Sequence, residues 1–144
     1  MFVKFRPLSE KGNIGLNVMI VDDSEILRER LRSILSEIRR VEVIGEAQDA
    51  VKAKEMLKRI TPDVLILDIR MPKGSGMDIL AMVKEEKPKV KVIVLTNYPY
   101  PQYRKRCMDL GAEYFLDKST EFDKLPDVFK QLANEFLTDT NNSR

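Results

Sequence analysis

The sequence predicts an α/β fold: a five-stranded, all-parallel sheet, doubly wound, with helices on both faces. Two observations carry this. Unbroken aliphatic runs of strand length, clearest in Val64-Leu65-Ile66-Leu67, read as strands buried on both faces of a sheet. Segments with apolar residues at helical spacing alternate with them, joined by connections of about two to six residues. One helix per crossover demands parallel strands, and right-handed crossovers spread the helices over both faces. The chain has 144 residues, 43% hydrophobic and 33% charged, enough for one domain with a real core.

The elements follow in order. An N-terminal arm covers residues 1–16, closing on the turn Gly12-Asn13-Ile14-Gly15; the domain spans 17–137, and 138–144 form a polar tail. Strand one, Leu16 to Val21, ends on Asp22-Asp23-Ser24, and a helix follows with Leu27, Leu31, Ile34, Leu35 and Ile38 on one face. Strand two is Val41 to Ile44, followed by Gly45. A second helix carries Ala50, Ala53, Leu57 and Ile60 and stops at Thr61-Pro62. Strand three, Val64 to Leu67, runs into Asp68 and a Met71-Pro72 turn. Gly74-Ser75-Gly76 opens a helix bearing Ile79, Leu80, Met82 and Val83. Strand four, Val90 to Leu95, ends on Thr96. The fourth helix starts near Pro99 or Pro101, presents Tyr103, Cys107 and Leu110, and closes on Gly111 as a left-handed cap. Strand five, Ala112 to Leu116, ends in Asp117-Lys118. The last helix faces inward with Leu125, Phe129, Leu132 and Phe136, and Pro126 must lie in its first turn or break it.

A parallel sheet brings Asp22, Asp23, Asp68, Thr96 and Lys118, all at strand C-termini, to one edge, where crevices of open α/β folds lie. Singly, each has a plain structural reading: Asp68 opens a turn, Asp22 caps a helix with Glu25 three residues on, Thr96 ends a strand and Lys118 is a surface lysine. Together they suit one chemistry. Three clustered carboxylates repel unless a cation sits among them, and all-oxygen ligands select a hard ion such as Mg²⁺. A lysine and a hydroxyl neutralise and orient a phosphoryl group, and an aspartate nucleophile forms an acyl phosphate. Asp68 is the candidate nucleophile. Arg70 and Tyr98 lie two residues past Asp68 and Thr96, where a guanidinium can stack on a ring as a partial lid over the acyl phosphate.

Composition excludes other classes. With no histidine, there is no Ser-His-Asp or Cys-His machinery, no histidine metal site and no phosphohistidine on this chain. The single Cys107 forms no internal disulfide, and a reducing cytoplasm is the expected setting. No run is long enough to span a membrane. The net charge is +2 and the densest basic cluster, Arg104-Lys105-Arg106, lacks aromatic interleaving, so a solvated helix face is expected and no nucleic-acid partner.

Val21-Asp22-Asp23-Ser24, Leu67-Asp68-Ile69-Arg70-Met71-Pro72 with Gly76, Thr96, and Gly111-Ala112-Glu113-Tyr114-Phe115-Leu116-Asp117-Lys118 resemble the receiver domain of two-component response regulators, over about Leu16 to Leu137. The resemblance implies a flavodoxin-like (βα)5 fold with strand order 2-1-3-4-5. It implies that Asp68 accepts phosphate from a sensor histidine kinase or histidine phosphotransfer protein. Mg²⁺ would be held by Asp23, Asp68 and the Arg70 carbonyl, with Asp22 acting through water. Thr96 and Lys118 would bind phosphoryl oxygens, and Phe115 takes the aromatic switch position, turning inward as Thr96 shifts on phosphorylation. With no effector domain after Leu137, a stand-alone receiver is expected, signalling by docking, with a homodimer conceivable through the face of helix four, strand five and helix five. Three residues depart from the family pattern: Ser119 replaces a usual cis-proline, Asn97 replaces a small residue, and Phe115 lacks the commoner tyrosine hydroxyl.

Three rivals are weighed. A haloacid-dehalogenase-like phosphatase needs a second aspartate two residues after the nucleophile, where Arg70 stands. A flavin-binding domain would find its phosphate repelled by Asp22-Asp23-Ser24-Glu25. A receiver fold kept only for interaction would not need the full set of site residues.

Overall fold

The computed structural model describes residues 15–142, so all but the end of the expected N-terminal arm lies outside the described residues. The elements are β1 (Leu16–Val21), α1 (Glu25–Ser36), β2 (Val41–Ala47), α2 (Ala50–Arg59), β3 (Val64–Leu67), the two-residue strands β4 (Arg70–Met71) and β5 (Gly74–Ser75), α3 (Gly76–Glu86), β6 (Lys91–Thr96), α4 (Pro101–Asp109), β7 (Tyr114–Asp117), a 3-10 turn (Phe122–Lys124) and α5 (Leu125–Asn142). The main sheet runs β2-β1-β3-β6-β7, every pair parallel. Counting only its own strands, this is the expected 2-1-3-4-5 order.

Alternation along the strands divides the core in two. Met19, Val21, Leu65, Leu67, Val92, Val94 and Phe115 face α2, α3 and α4. Val18, Ile20, Val64, Ile66, Ile93, Leu95 and Leu116 face α1 and α5. The helical faces read from the sequence are those buried, down to Leu31 and Leu35 on α1 and Leu125, Phe129 and Leu132 on α5. Truncating one of these fully buried aliphatic side chains to alanine costs about 2–5 kcal/mol.

The structure differs from the sequence reading at several boundaries. β2 passes through Gly45 to Ala47, with a bulge where the partner of β1 jumps from Val43 to Gly45. Gly45 fits there because a Cβ would stand 2.6 Å from the Met56 sulfur. The Met71-Pro72 turn is the tip of a small antiparallel hairpin, Arg70 pairing with Ser75. Its chain reverses at Lys73 and Gly74, both at positive φ. β7 begins at Tyr114 rather than Ala112, Pro126 lies in the first turn of α5, and that helix runs to Asn142, through the expected polar tail. Gly111 has φ +107°, as a left-handed cap after α4 requires.

The helices are anchored unequally. Ser24, Asp49 and Ser75 cap α1, α2 and α3 by accepting a backbone N–H, each contributing about 1 kcal/mol. Lys84 on α3 donates to both carboxylate oxygens of Glu113, at 2.9 and 2.8 Å, and to the Val90 carbonyl at 2.8 Å. Glu113 in turn accepts the Val92 N–H at 2.7 Å. This clamp fixes α3 at the N-terminal edge of the sheet. By contrast, α4 has no side-chain cap, starts on Pro101, and fully buries only Cys107. No described helix is long and apolar enough to cross a membrane.

Candidate functional site

β1 and β3 are central and adjacent, so Asp22 and Asp68 emerge side by side at the sheet's C-terminal edge. Asp22 is not the cap of α1; Ser24 is, its Oγ accepting the Leu27 N–H at 3.2 Å. Asp22 instead turns its carboxylate inward, Oδ1 accepting the Ser24 N–H at 2.9 Å and Oδ2 lying 2.6 Å from Lys118 Nζ. Lys118 Nζ also donates to Asp68 Oδ2 at 3.0 Å. Asp68 Oδ1 accepts the Arg70 N–H at 3.2 Å. All three of these side chains are buried, whereas Asp23 is exposed. One carboxylate oxygen from each of Asp22, Asp23 and Asp68 lies within 4.8 Å of the others.

Three carboxylates cluster around one ammonium, which pairs with Asp22 and Asp68 alone, so the cluster carries excess negative charge. Burial raises the Asp68 carboxyl pKa, against the pull of Lys118 and with a further push from Asp22. Burial alone would lower the Lys118 ammonium pKa, but its bond to Asp22 and the charge of Asp68 outweigh this and raise it. Lys118 therefore stays charged. The donor set is all oxygen, close-spaced and half open through Asp23, which fits Mg²⁺ and not a soft metal.

Thr96, at the end of β6, is fully buried, and its Oγ1 accepts the Tyr98 N–H at 3.0 Å, leaving the hydroxyl proton free to donate. The Lys118 N–H reaches the Thr96 carbonyl at 2.9 Å, tying the two strand ends together. Arg70 is exposed, and its guanidinium lies 4.2 Å from the Tyr98 ring centroid, the stack anticipated from spacing. Phe115 is already buried, with the Arg104 guanidinium 5.0 Å from its ring centroid and donating to its carbonyl at 3.2 Å. In the conformation described, then, the ring has no inward turn left to make; lacking a hydroxyl, it has no polar tip to hold at the surface.

The departures resolve locally. The peptide after Lys118 is trans, as are all described peptide bonds, and Asp117 Oδ1 holds the loop by accepting the Ser119 N–H at 2.8 Å and its hydroxyl at 2.7 Å. Asn97 is exposed and adds no bulk to the buried part of the site.

Two further residues shape the site: Gly76, present in the motif without a physical reason, and Arg28, which sequence reasoning missed. A Cβ on Gly76 would stand 2.0 Å from the Asp68 carbonyl oxygen, so α3 begins directly against the backbone of that residue. Arg28 donates to the Asp22 carbonyl at 2.7 Å and to Glu46 at 3.1 Å. Its signal was present as Arg28 and Arg32, four apart on one helix face and both reaching Glu46.

Fold and site together define a doubly wound α/β domain whose working edge is a carboxylate cluster with a lysine counter-ion, suited to a hard cation and a phosphoryl group. More narrowly, the chain belongs to the response regulator receiver domain family, whose model matches residues 18–130. It is 30% identical over 118 residues to the transcriptional regulatory protein DegU of Brevibacillus brevis, covering 82% of this chain and 50% of that one. It is 38% identical over 105 residues to a protein-glutamate methylesterase/protein-glutamine glutaminase of Methylobacillus flagellatus, covering 72% of this chain and 29% of the relative. Among solved structures, the signal receiver domain of the putative response regulator NarL from Mycobacterium tuberculosis superposes with a TM-score of 0.75 at 29% identity, covering 83% of this chain and 97% of that one. The chain thus spans half or less of the length of these curated relatives. It is a receiver of two-component signalling, a class that works with histidine kinases or phosphotransfer proteins and binds Mg²⁺ through acidic residues.

Proposed function

We propose that Asp68 is the phosphoacceptor. The observation that carries this is Lys118, whose ammonium bridges Asp68 and Asp22 in a buried site and stays charged. A carboxylate oxygen of Asp68 attacks the phosphorus of a partner's phosphohistidine. The P–N bond breaks, its electron pair returns to the imidazole, and an acyl phosphate remains on Asp68. Lys118 and the free hydroxyl proton of Thr96 take phosphoryl oxygens as charge transfers. Asp23, Asp68 and the Arg70 carbonyl would hold Mg²⁺, with Asp22 acting through water. Held there, the ion would supply charge neutralisation for the phosphoryl oxygens.

The chain's output is docking that depends on phosphorylation. The face of α4, β7 and α5 supports this, because it presents Tyr100, Tyr103 and Arg104, with Phe115 buried beneath Arg104, and adjoins Thr96 and Lys118 through β6 and β7. A target protein or a second copy would bind there, in a reducing cytoplasm. Incubation with acetyl phosphate and Mg²⁺ tests the acceptor. Intact mass should gain one phosphate, lost in Asp68→Asn and after chelation. Phosphate retained by Asp68→Asn, or none taken up by the wild type, would refute the assignment, the latter favouring a receiver fold used only for interaction.

A further inference from the structure

Asp23 differs from the other two carboxylates. It is exposed, and among the described residues its side chain has no hydrogen bond or ion pair. Asp22 is pinned by Lys118 and by the Ser24 N–H, and Asp68 by Lys118 and the Arg70 N–H. The direction of Asp23 is therefore set by its backbone, and first by the plane of the Asp22–Asp23 peptide. One end of that plane is held from behind. Arg28 Nη1 donates to the Asp22 carbonyl at 2.7 Å, in a side chain only 11% exposed. The guanidinium is itself fixed, because Nε donates to Glu46 Oε1 at 3.1 Å, and Glu46 sits in β2 opposite Ile20 of β1. Arg32 holds the same carboxylate with contacts of 2.5 and 2.7 Å.

We propose that Arg28 is a positioning residue: by locking the Asp22 carbonyl to β2 it aims the otherwise unsupported Asp23 carboxylate at the cation site. This rests on the reading of that site given above. Only an arginine fits the role, since two donors on a rigid fork must meet a carbonyl and a carboxylate at once.

The sign of the effect separates this role from plain electrostatics. A fixed cation beside an acidic cluster repels a second cation, so acting through its charge alone Arg28 would weaken Mg²⁺ binding, and its removal would tighten it. Acting through geometry, its removal loosens binding by about tenfold, as loss of a supporting partner around a metal site does. Charge alone leaves Arg28→Lys at wild-type affinity; geometry makes it nearly as weak as Arg28→Gln.

The test is titration of the folded protein with Mg²⁺ alone, followed by calorimetry and by amide shifts of residues 22–24, beside thermal melts without the ion. Arg28→Gln and Arg28→Lys should both lose affinity, and Glu46→Gln, whose neutral amide oxygen holds the guanidinium more weakly, should lose less. Arg32→Gln should lower the melting midpoint yet keep wild-type affinity, which a general loss of stability would not do. If Arg28→Gln does not fold, Arg28→Lys carries the comparison, because charge alone leaves it at wild-type affinity. Affinity unchanged or raised in the Arg28 variants, with the wild type binding normally, overturns this inference alone. A wild type that takes up no Mg²⁺ overturns the proposed function and this inference with it.

Discussion

The Arg70 guanidinium lies 4.2 Å from the centroid of the Tyr98 ring, and both residues are tied through their backbone N–H groups to the site they flank. Arg70 N–H donates to Asp68, and Tyr98 N–H donates to Thr96 Oγ1. The stack thus joins the two strand ends that carry Asp68 and Thr96. An acyl phosphate on Asp68 is lost when water attacks the phosphorus in line, and a stack that crowds that approach would slow the loss. Arg70→Ala and Tyr98→Ala should each shorten the phosphoprotein lifetime about two- to fivefold, matching a cation–π contact of about 0.5–1 kcal/mol. The double variant should fall short of the product of the two, because one contact is lost in all three. Decay of the phosphorylated mass with time reads this out, and lifetimes equal to wild type in both single variants would remove the lid.

Asp68 should make the empty protein less stable as pH rises. Its folded pKa lies above the unfolded value, mainly through burial, so the native state holds the proton longer than the unfolded chain does. Stability is therefore lost from the ordinary aspartate range up through the raised folded value. Asp68→Asn lacks this loss, while Lys118 keeps its 2.6 Å pair with Asp22. Urea melts should show the variant gaining on the wild type as pH rises above the ordinary aspartate range of about 4. A constant difference across that rise would contradict the assignment of burial as the dominant influence.

Mg²⁺ should raise the melting midpoint of the wild type, by about 1.4 kcal/mol of stability at ten times its dissociation constant. Asp23→Ala removes one of three mutually repelling carboxylates, so without the ion it should melt no lower than wild type. Adding Mg²⁺ should then move it little. A full Mg²⁺-induced shift in Asp23→Ala would exclude that carboxylate as a ligand.

Gly76 and Gly45 both lie where a Cβ meets something, and the two should respond differently. The Gly76 position faces the Asp68 carbonyl oxygen at 2.0 Å and the Ile69 Cα at 2.7 Å, both backbone. Gly76→Ala must push α3 away from the strand end, at about 1–3 kcal/mol, and should also slow phosphorylation by displacing Asp68. At Gly45 the nearest atom is the Met56 sulfur at 2.6 Å, the end of a flexible side chain. Gly45→Ala should be the milder of the two in chemical melts and leave the phosphorylation rate unchanged.

The parallel sheet was legible because both faces are covered, so its strands read as continuous apolar runs. Asp68 and Thr96 were legible because each follows such a run directly, and Lys118 because only Asp117 separates it from the last one. The Arg70–Tyr98 stack could be anticipated because both residues count from those same strand ends. What was hidden depends on neighbours distant in sequence. The continuation of β2 through Gly45 follows from its pairing with β1, since glycine in isolation reads as a stop. The β4–β5 hairpin is two residues a side, too short for any periodicity. Arg28 shares a helix face with Arg32, but its partners, the Asp22 carbonyl and Glu46, are backbone and β2. The buried Phe115 ring is a matter of packing beneath Arg104, which residue type alone does not reveal.

The Lys84–Glu113 clamp divides the two helices that follow the site into a post and a shutter. Helix α3 is riveted at the far edge of the sheet and pressed at its near end against Asp68, so it opens only when much of the domain does. Helix α4, with no side-chain cap and one fully buried residue, is held mainly by Tyr103 against the core and by Arg104 on Phe115. Local opening free energies should therefore differ sharply between neighbours, with α4 amides exchanging by sub-global fluctuations and α3 amides near the global limit. An added charge at the sheet edge acts on whichever element has the shallowest well. If Asp68 is phosphorylated as proposed, the response should run away from α3 and into α4.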